Sequence, residues 1–269
     1  MLQHIMLVPY TDVTLWPTFD ISTAPAKNYL LGFVVADFDS QPSWGGYHKT
    51  TSDFYLDTIS KVRKNGGDVF VSFGGASGRE LATVIQSREQ LFLAYKQVVD
   101  KYKLKQIDLD IEGLAIYDKE ACQRRGAAIR DLINVYPSLK VSLTLPVMPS
   151  GLNEYAVACM KVTPHDILNV MAMDFGNEQN MGTAVISALQ SVRKQTKKKI
   201  GVTVMIGVND TGEVFTLKDA VLLKNFARDN PWVARISFWS IERDLGTSGS
   251  LAHSSQISQK RFEFSNLLK

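Results

Sequence analysis

The stretch Ile107-Asp108-Leu109-Asp110-Ile111-Glu112-Gly113 alternates aliphatic and acidic residues without interruption. A period of two belongs to a β-strand, which places Asp108, Asp110 and Glu112 on one face and Ile107, Leu109 and Ile111 on the other. Wound as a helix, the same residues would scatter the acids and leave aliphatics exposed between them. Alternating strands are usually antiparallel, with one solvated face. Here the flanks argue for a parallel strand covered on both faces. Residues 79–102 carry Leu81, Val84, Ile85, Leu91, Phe92, Tyr95, Val98 and Val99 at helical spacing, and residues 119–135 form a second helical stretch. Three carboxyls enclosed in such an interior cost several kcal/mol each unless they are hydrogen-bonded, paired or protonated. A fold tolerates that where the acids perform chemistry. Stacked about 6–7 Å apart along one strand face, they titrate as a coupled set. At least one holds its proton near neutrality, as a general acid must.

Outward from this strand, eight β-rich apolar runs begin near Ile5, Tyr29, Asp68, Gln106, Lys140, Ile167, Lys199 and Ala234, spaced 24 to 39 residues apart. Each gap holds a helix and two loops, the size of a right-handed crossover between parallel strands. Further helical stretches cover residues 54–64, 153–161, 183–194, 217–227 and 257–268. This alternation predicts an α/β fold, a (β/α)8 barrel spanning residues 1–269 as a single catalytic domain, with a doubly wound open sheet as the competitor. In a barrel the three aliphatics face the helix layer. The three acids then point inward and climb toward the C-terminal mouth, where barrel enzymes work.

Composition excludes several other classes. Thirty Lys and Arg against 27 Asp and Glu leave a net charge of +3, and Lys197-Lys198-Lys199 reads as a solvated helix end, so nucleic acid is not expected as a partner. No apolar run reaches the ~20 residues of a membrane span, and Met1-Leu2-Gln3-His4-Ile5 lacks the basic start of a signal peptide. The protein is therefore expected to be either intracellular or a mature domain whose leader was removed. Cys122 and Cys159 are expected to be plain buried thiols rather than a disulfide framework. His4, His48, His165 and His253 have no partner spacing, and no further acidic cluster at ligand spacing accompanies the strand, so no metal is expected. Ser72-Phe73-Gly74-Gly75-Ala76-Ser77-Gly78 lacks the spacing and the Lys of a phosphate cradle and reads as a tight turn bringing backbone close to the carboxylate strand.

Together these blocks resemble glycoside hydrolase family 18, the chitinases and related enzymes. The family pattern D-x-x-D-x-D-x-E is matched by 105–112, with Lys105 in place of its first acid. S-x-G-G is matched by Ser72-Phe73-Gly74-Gly75, M-x-Y-D in part by Met171-Ala172-Met173-Asp174, and the aromatic floor by Trp239. The style of the blocks is closest to the compact bacterial-type chitinases. The resemblance implies a retaining, substrate-assisted hydrolysis of β-1,4 links between N-acetylglucosamine units, an exception to the two-carboxylate scheme of most glycosidases. Glu112 would protonate the glycosidic oxygen, Asp110 would orient the substrate's acetamide, and Asp108 would adjust the proton affinity of Asp110. No metal or organic cofactor is implied. The expected partner is chitin or N-acetylglucosamine oligosaccharides, met by a monomer; the resemblance favours an extracellular protein if a leader was removed and a cytoplasmic one otherwise.

Two departures matter. Lys105 falls at the start of the strand, toward the barrel bottom, where it adjusts electrostatics or stability. Met173 stands where a tyrosine hydroxyl would contact the acetamide, and a thioether donates no hydrogen bond. Phe175 cannot replace it, so Tyr10, Asn209 or a bound water is expected to. The candidate substrate-binding set is Trp239, Met173, Asp174, Tyr10, Phe175, Gly75, Trp44 and Asn209, with Phe38, Tyr47 and Tyr117 as further stacking aromatics. Trp44-Gly45-Gly46-Tyr47 lies in an unusually long loop, the expected cleft wall. Alternatives are an endo-acting N-acetylglucosaminidase on glycans and a non-catalytic chitin-binding barrel. The second is disfavoured by the intact Glu112.

Overall fold

The computed structural model describes residues 5–176 and 178–269. Eight strands form the barrel of its sheet: β1 (Met6–Leu7, resuming as Tyr10–Asp12), β2 (Asn28–Ala36), β3 (Asp68–Gly74), β4 (Gln106–Asp110), β5 (Lys140–Pro146), β6 (Ile167–Met171), β7 (Lys199–Met205) and β8 (Val233–Trp239). All pair parallel in chain order, and β1 closes the ring. Its first piece pairs with β8 (Met6 with Arg235) and its second with β2 (Tyr10 with Leu30). Between the pieces, Pro9 has no N–H to give a ladder. Val8 N still donates to Ile236 O at 2.9 Å and Pro9 O accepts from Leu30 N at 2.9 Å, so the seam stays tied to both neighbours. The sheet is a closed barrel, not an open doubly wound one.

Ile107, Leu109 and Ile111 are fully buried in the apolar layer between the strands and the helices. That layer is lined from outside by α1 (Leu56–Lys64), α2 (Leu81–Val84), α3 (Arg88–Tyr102), α4 (Lys119–Val135), α5 (Glu154–Val162), α6 (Met181–Gln195), α7 (Leu217–Asp229) and α8 (Glu263–Leu268). Among the described residues no helix is long and apolar enough to cross a membrane. A second, small apolar cluster of Val8, Tyr10, Leu30 and Phe70, with Phe33 and Trp239 against it, fills part of the bore. Cys122 and Cys159 are buried and free.

Two helices differ from the sequence reading. The stretch 79–102 is broken, because the Ser87 side chain accepts from Gln90 N at 3.2 Å and starts α3 afresh after an extended Ile85. The stretch 257–268 is helical only from Glu263. Phe262 takes a left-handed conformation (φ 59°), and the buried Asp244 carboxylate accepts from Phe264 N at 3.0 Å and Ser265 N at 2.8 Å, fixing the helix start from outside.

At the mouth, β3 ends on Gly74, with φ +104°, where a Cβ would lie 2.0 Å from the Asp110 backbone oxygen. Gly75 N donates to that same oxygen at 3.0 Å. This is the close approach expected of the Gly-Gly pair, and only glycine permits it. Gly74→Ala is expected to cost about 2–4 kcal/mol from strain and clash together, lowering the calorimetric melting midpoint by roughly 5 °C or more.

Candidate active site

Asp108 and Asp110 lie on β4, and Glu112 stands just past it. The ladder ends at Asp110, but Glu112 keeps extended backbone (φ −143°, ψ −177°), so the alternation carries through the end of the strand. Asp108 is completely buried and accepts hydrogen bonds from Tyr10 Oη (2.9 Å), Ser72 Oγ (2.8 Å), Thr144 Oγ1 (2.8 Å) and Ser142 Oγ. Arg235 Nη2 lies 3.5 Å from its Oδ1.

One rung higher the environment reverses. Asp110 is buried too, yet among the described residues its Oδ1 has no hydrogen-bond partner. Burial, then the charges of Glu112 and Asp108, push its carboxyl well above the usual range, which favours its protonated form. At the mouth, Glu112 is pushed up to about 7, chiefly by burial and then by the Asp174 charge. Asp174 itself is raised by burial and by Asp210. Asp174 takes a left-handed backbone (φ 54°), held by its N–H to Asn209 Oδ1 (3.3 Å) and by Asp210 N donating to its Oδ1 (2.9 Å). The result is a graded column: a satisfied acid at the foot, an acid pushed toward its protonated form above it, and a carboxyl poised near neutrality at the top, the distribution that general acid catalysis needs.

Asp110, Glu112 and Asp174 share one pocket with Tyr10, Phe33, Met173, Thr203, Trp239 and Asp210. Trp239 stacks on Phe33, centroids 5.7 Å apart and planes 18° apart, and Tyr10 tilts against it at 6.1 Å. The structure thus brings together Asp110, Glu112, Trp239, Met173, Asp174 and Tyr10 around one cavity with Asp108 beneath.

Other expected contacts are not there. Trp44 is fully buried on the far side of β2, in an antiparallel extension (Pro42–Trp44) that turns it onto Tyr102, whose hydroxyl accepts its indole N–H at 2.7 Å. Asn209 spends its amide donors on Met205 O (2.8 Å) and Gly207 O (3.1 Å), which leaves none for a ligand. The Tyr10 hydroxyl donates down to Asp108, so it does not serve as the missing acetamide donor. Phe175 packs on the main core and Gly75 under the Phe33 ring, 2.7 Å from a built Cβ. Phe38, Tyr47 and Tyr117 are exposed and do not line the pocket, nor do His48, His165 and His253; His4 lies outside the described residues. Lys105 is on the exposed lower rim, 3.4 Å from Asp68. Sequence reasoning passed over Phe33, Thr203, Asp210 and Arg235. Among the described residues no three His, Cys, Asp or Glu side chains converge as a metal would need.

A family model for glycosyl hydrolases family 18 matches residues 12–259. A probable bifunctional chitinase/lysozyme of Escherichia coli K12 is 33% identical over 282 aligned positions, covering 90% of this chain and 31% of that protein. Endochitinase 11 of Metarhizium anisopliae is 32% identical over 90% of this chain and 53% of its own length. The chain thus spans about a third to a half of these relatives. Among solved structures, the catalytic domain of a hyperthermophilic chitinase from Pyrococcus furiosus superposes with a TM-score of 0.87 at 27% identity, covering 99% of this chain and 94% of that one. Catalytic-site mutants of active domain 2 of a thermostable chitinase from the same organism, complexed with chito-oligosaccharides, give 0.85 at 26% identity over the same shares.

The raised Glu112 has a consequence for stability. The unfolded chain ionises this carboxyl near 4.5 while the native protein holds its proton to about 7, so stability falls as pH rises through that window. Gln does not titrate. Urea unfolding is expected to show Glu112→Gln more stable than wild type by about 1–2 kcal/mol at pH 8, after allowance for screening at the mouth, and no gain at pH 4.

Proposed function

The chain belongs to glycosyl hydrolases family 18, and we propose that it is a retaining chitinase that cuts β-1,4 links between N-acetylglucosamine units, with the substrate's own acetamide as nucleophile. The observation that carries this reading is the Asp108–Asp110–Glu112 column, with Glu112 held up to about 7 at the top of a pocket floored by Trp239. Glu112 donates its proton to the glycosidic oxygen as the bond breaks. The acetamide carbonyl attacks the anomeric carbon from the opposite face, giving an oxazolinium ion. Asp110 accepts the acetamide N–H on its unpartnered Oδ1 and holds the carbonyl in line as that positive charge develops. Water deprotonated by Glu112 then opens the ring with net retention.

The unpartnered Oδ1 of Asp110 supports this role, because a buried acceptor with no protein donor is prepared for a donor on the ligand. Trp239 and Phe33 form a paired aromatic surface suited to the apolar face of a sugar ring. With Met173 donating nothing, the donor to the acetamide carbonyl is the Thr203 hydroxyl. It accepts from Asn169 Nδ2 at 2.7 Å and keeps its own proton for the pocket. Residues 1–269 act in this reading as a single catalytic domain.

Chitin hexamer is the test substrate. Wild-type protein is expected to shorten it and to release the β-anomer first in fresh-product NMR; an early α-anomer means that water attacks directly. Glu112→Gln is expected to abolish turnover while the fold and oligomer binding persist. A wild-type protein that binds chito-oligosaccharides and never cleaves them is a binding barrel. One that cleaves only glycoprotein glycans is an endo-N-acetylglucosaminidase. Trp239→Ala is expected to weaken oligomer binding about ten-fold or more; unchanged affinity assigns Trp239 to packing alone.

A further inference from the structure

Arg235 is a buried cation for which the reaction just described has no use. It sits near the start of β8 with its side chain fully out of water and reaches across the bore. Nη1 donates to Ser142 Oγ at 3.1 Å on β5, and Nη2 lies 3.5 Å from Asp108 on β4. The neighbouring strand makes room: at Gly201 a Cβ would come within 3.3 Å of Arg235 Nε and 2.7 Å of Asn169 Oδ1. Among the described residues, the charged and titratable groups that face this floor are Tyr10 from β1, Asp108 and Asp110 from β4, and Arg235 itself; β3 and β5 present hydroxyls there. A guanidinium enclosed without a carboxylate is strongly unfavourable, so Arg235 and Asp108 form a matched pair at the foot of the column.

The distribution of donors gives the pair its meaning. Four hydroxyls and the guanidinium all converge on Asp108, while no protein donor reaches the buried Oδ1 of Asp110 directly above it. We propose that Arg235 is a positioning residue: by matching the charge of Asp108 at the barrel floor it fixes the lowest acid as an anion and leaves the transferable proton to Asp110 and Glu112. This rests on the reading of the column as catalytic. The electrostatic argument has a definite sign. Removing one positive charge from a coupled set of acids makes every member bind its protons more tightly, so the whole set titrates at higher pH.

The test compares Arg235→Met, which deletes the charge, with Arg235→Lys, which keeps it. Carboxyl-labelled NMR of the free protein follows the Glu112 titration, and the pH dependence of kcat/KM on chitin hexamer follows the working enzyme. In R235M both limbs of the rate profile and the Glu112 midpoint are expected to move up by roughly half a unit or more, whereas R235K stays near wild type. If R235M does not fold, the double variant R235M/D108N removes the pair together, and its Glu112 midpoint is expected to stay within a few tenths of a unit of wild type. Overlaying profiles for R235M and wild type, an equal shift in R235K, or a double variant that moves by half a unit would each overturn the proposal. The NMR arm needs no turnover. A protein that shifts as expected but never hydrolyses chitin sinks the proposed reaction and leaves the Arg235 pairing intact.

Discussion

Asp108 lies wholly out of water, and four hydroxyls and a guanidinium converge on it from four different strands. An ionised carboxylate at the bottom of an apolar bore is tolerable only under such saturation, because each lone pair left empty adds its full desolvation cost. The small residues Ser72 and Ser142 at the barrel floor follow from this, as does the choice of Tyr rather than Phe at position 10. The saturation is also local. Nothing comparable reaches Asp110, and the contrast between two adjacent rungs of one strand is what separates a fixed charge from a movable proton.

The carboxylate strand was legible because its alternation forces a choice of face, and the flanking helices say that both faces are covered. Burial of Ile107, Leu109 and Ile111 against the helix layer follows from the same parity that turns the acids inward. Glu112 shows why the pattern outruns the element: the strand pairing ends at Asp110, but Ile111 N still donates to Thr144 O at 3.0 Å and Glu112 keeps extended backbone. The break inside 79–102 was present in the sequence as Ser87 three residues before Gln90, a cap signal hidden within a continuous apolar stripe.

Other parts of the site were not legible, for physical reasons that differ from residue to residue. Arg235 opens an ordinary strand, where a lone Arg reads as a solvated rim residue; only the three-dimensional register reveals that it crosses the bore. Phe33 sits in a run of apolar residues, and nothing local distinguishes an aromatic facing the pocket from one facing the helices. Trp44 misled in the opposite direction. The glycines after it suggest an open loop, but antiparallel pairing with β2 turns its indole away from the mouth and onto Tyr102. Asn209 has the chemistry of a ligand donor, yet the turn after β7 consumes both its N–H groups on nearby carbonyls.

The split first strand also bears on how the chain reaches its native state. Met6 pairs with Arg235 and Tyr10 with Leu30, so the ring is sealed by a contact between segments near opposite ends of the sequence. Contacts of such long separation carry the largest chain-closure entropy and form late. Until β8 has been synthesised and docked, one flank of the nascent sheet remains an open template for intermolecular pairing. Tyr10 and Arg235 arrive at Asp108 from the two sides of that seam. The floor of the acid column is therefore completed only when the ring shuts, and a chain arrested one strand short has the carboxylates without the counter-charge that makes their enclosure tolerable.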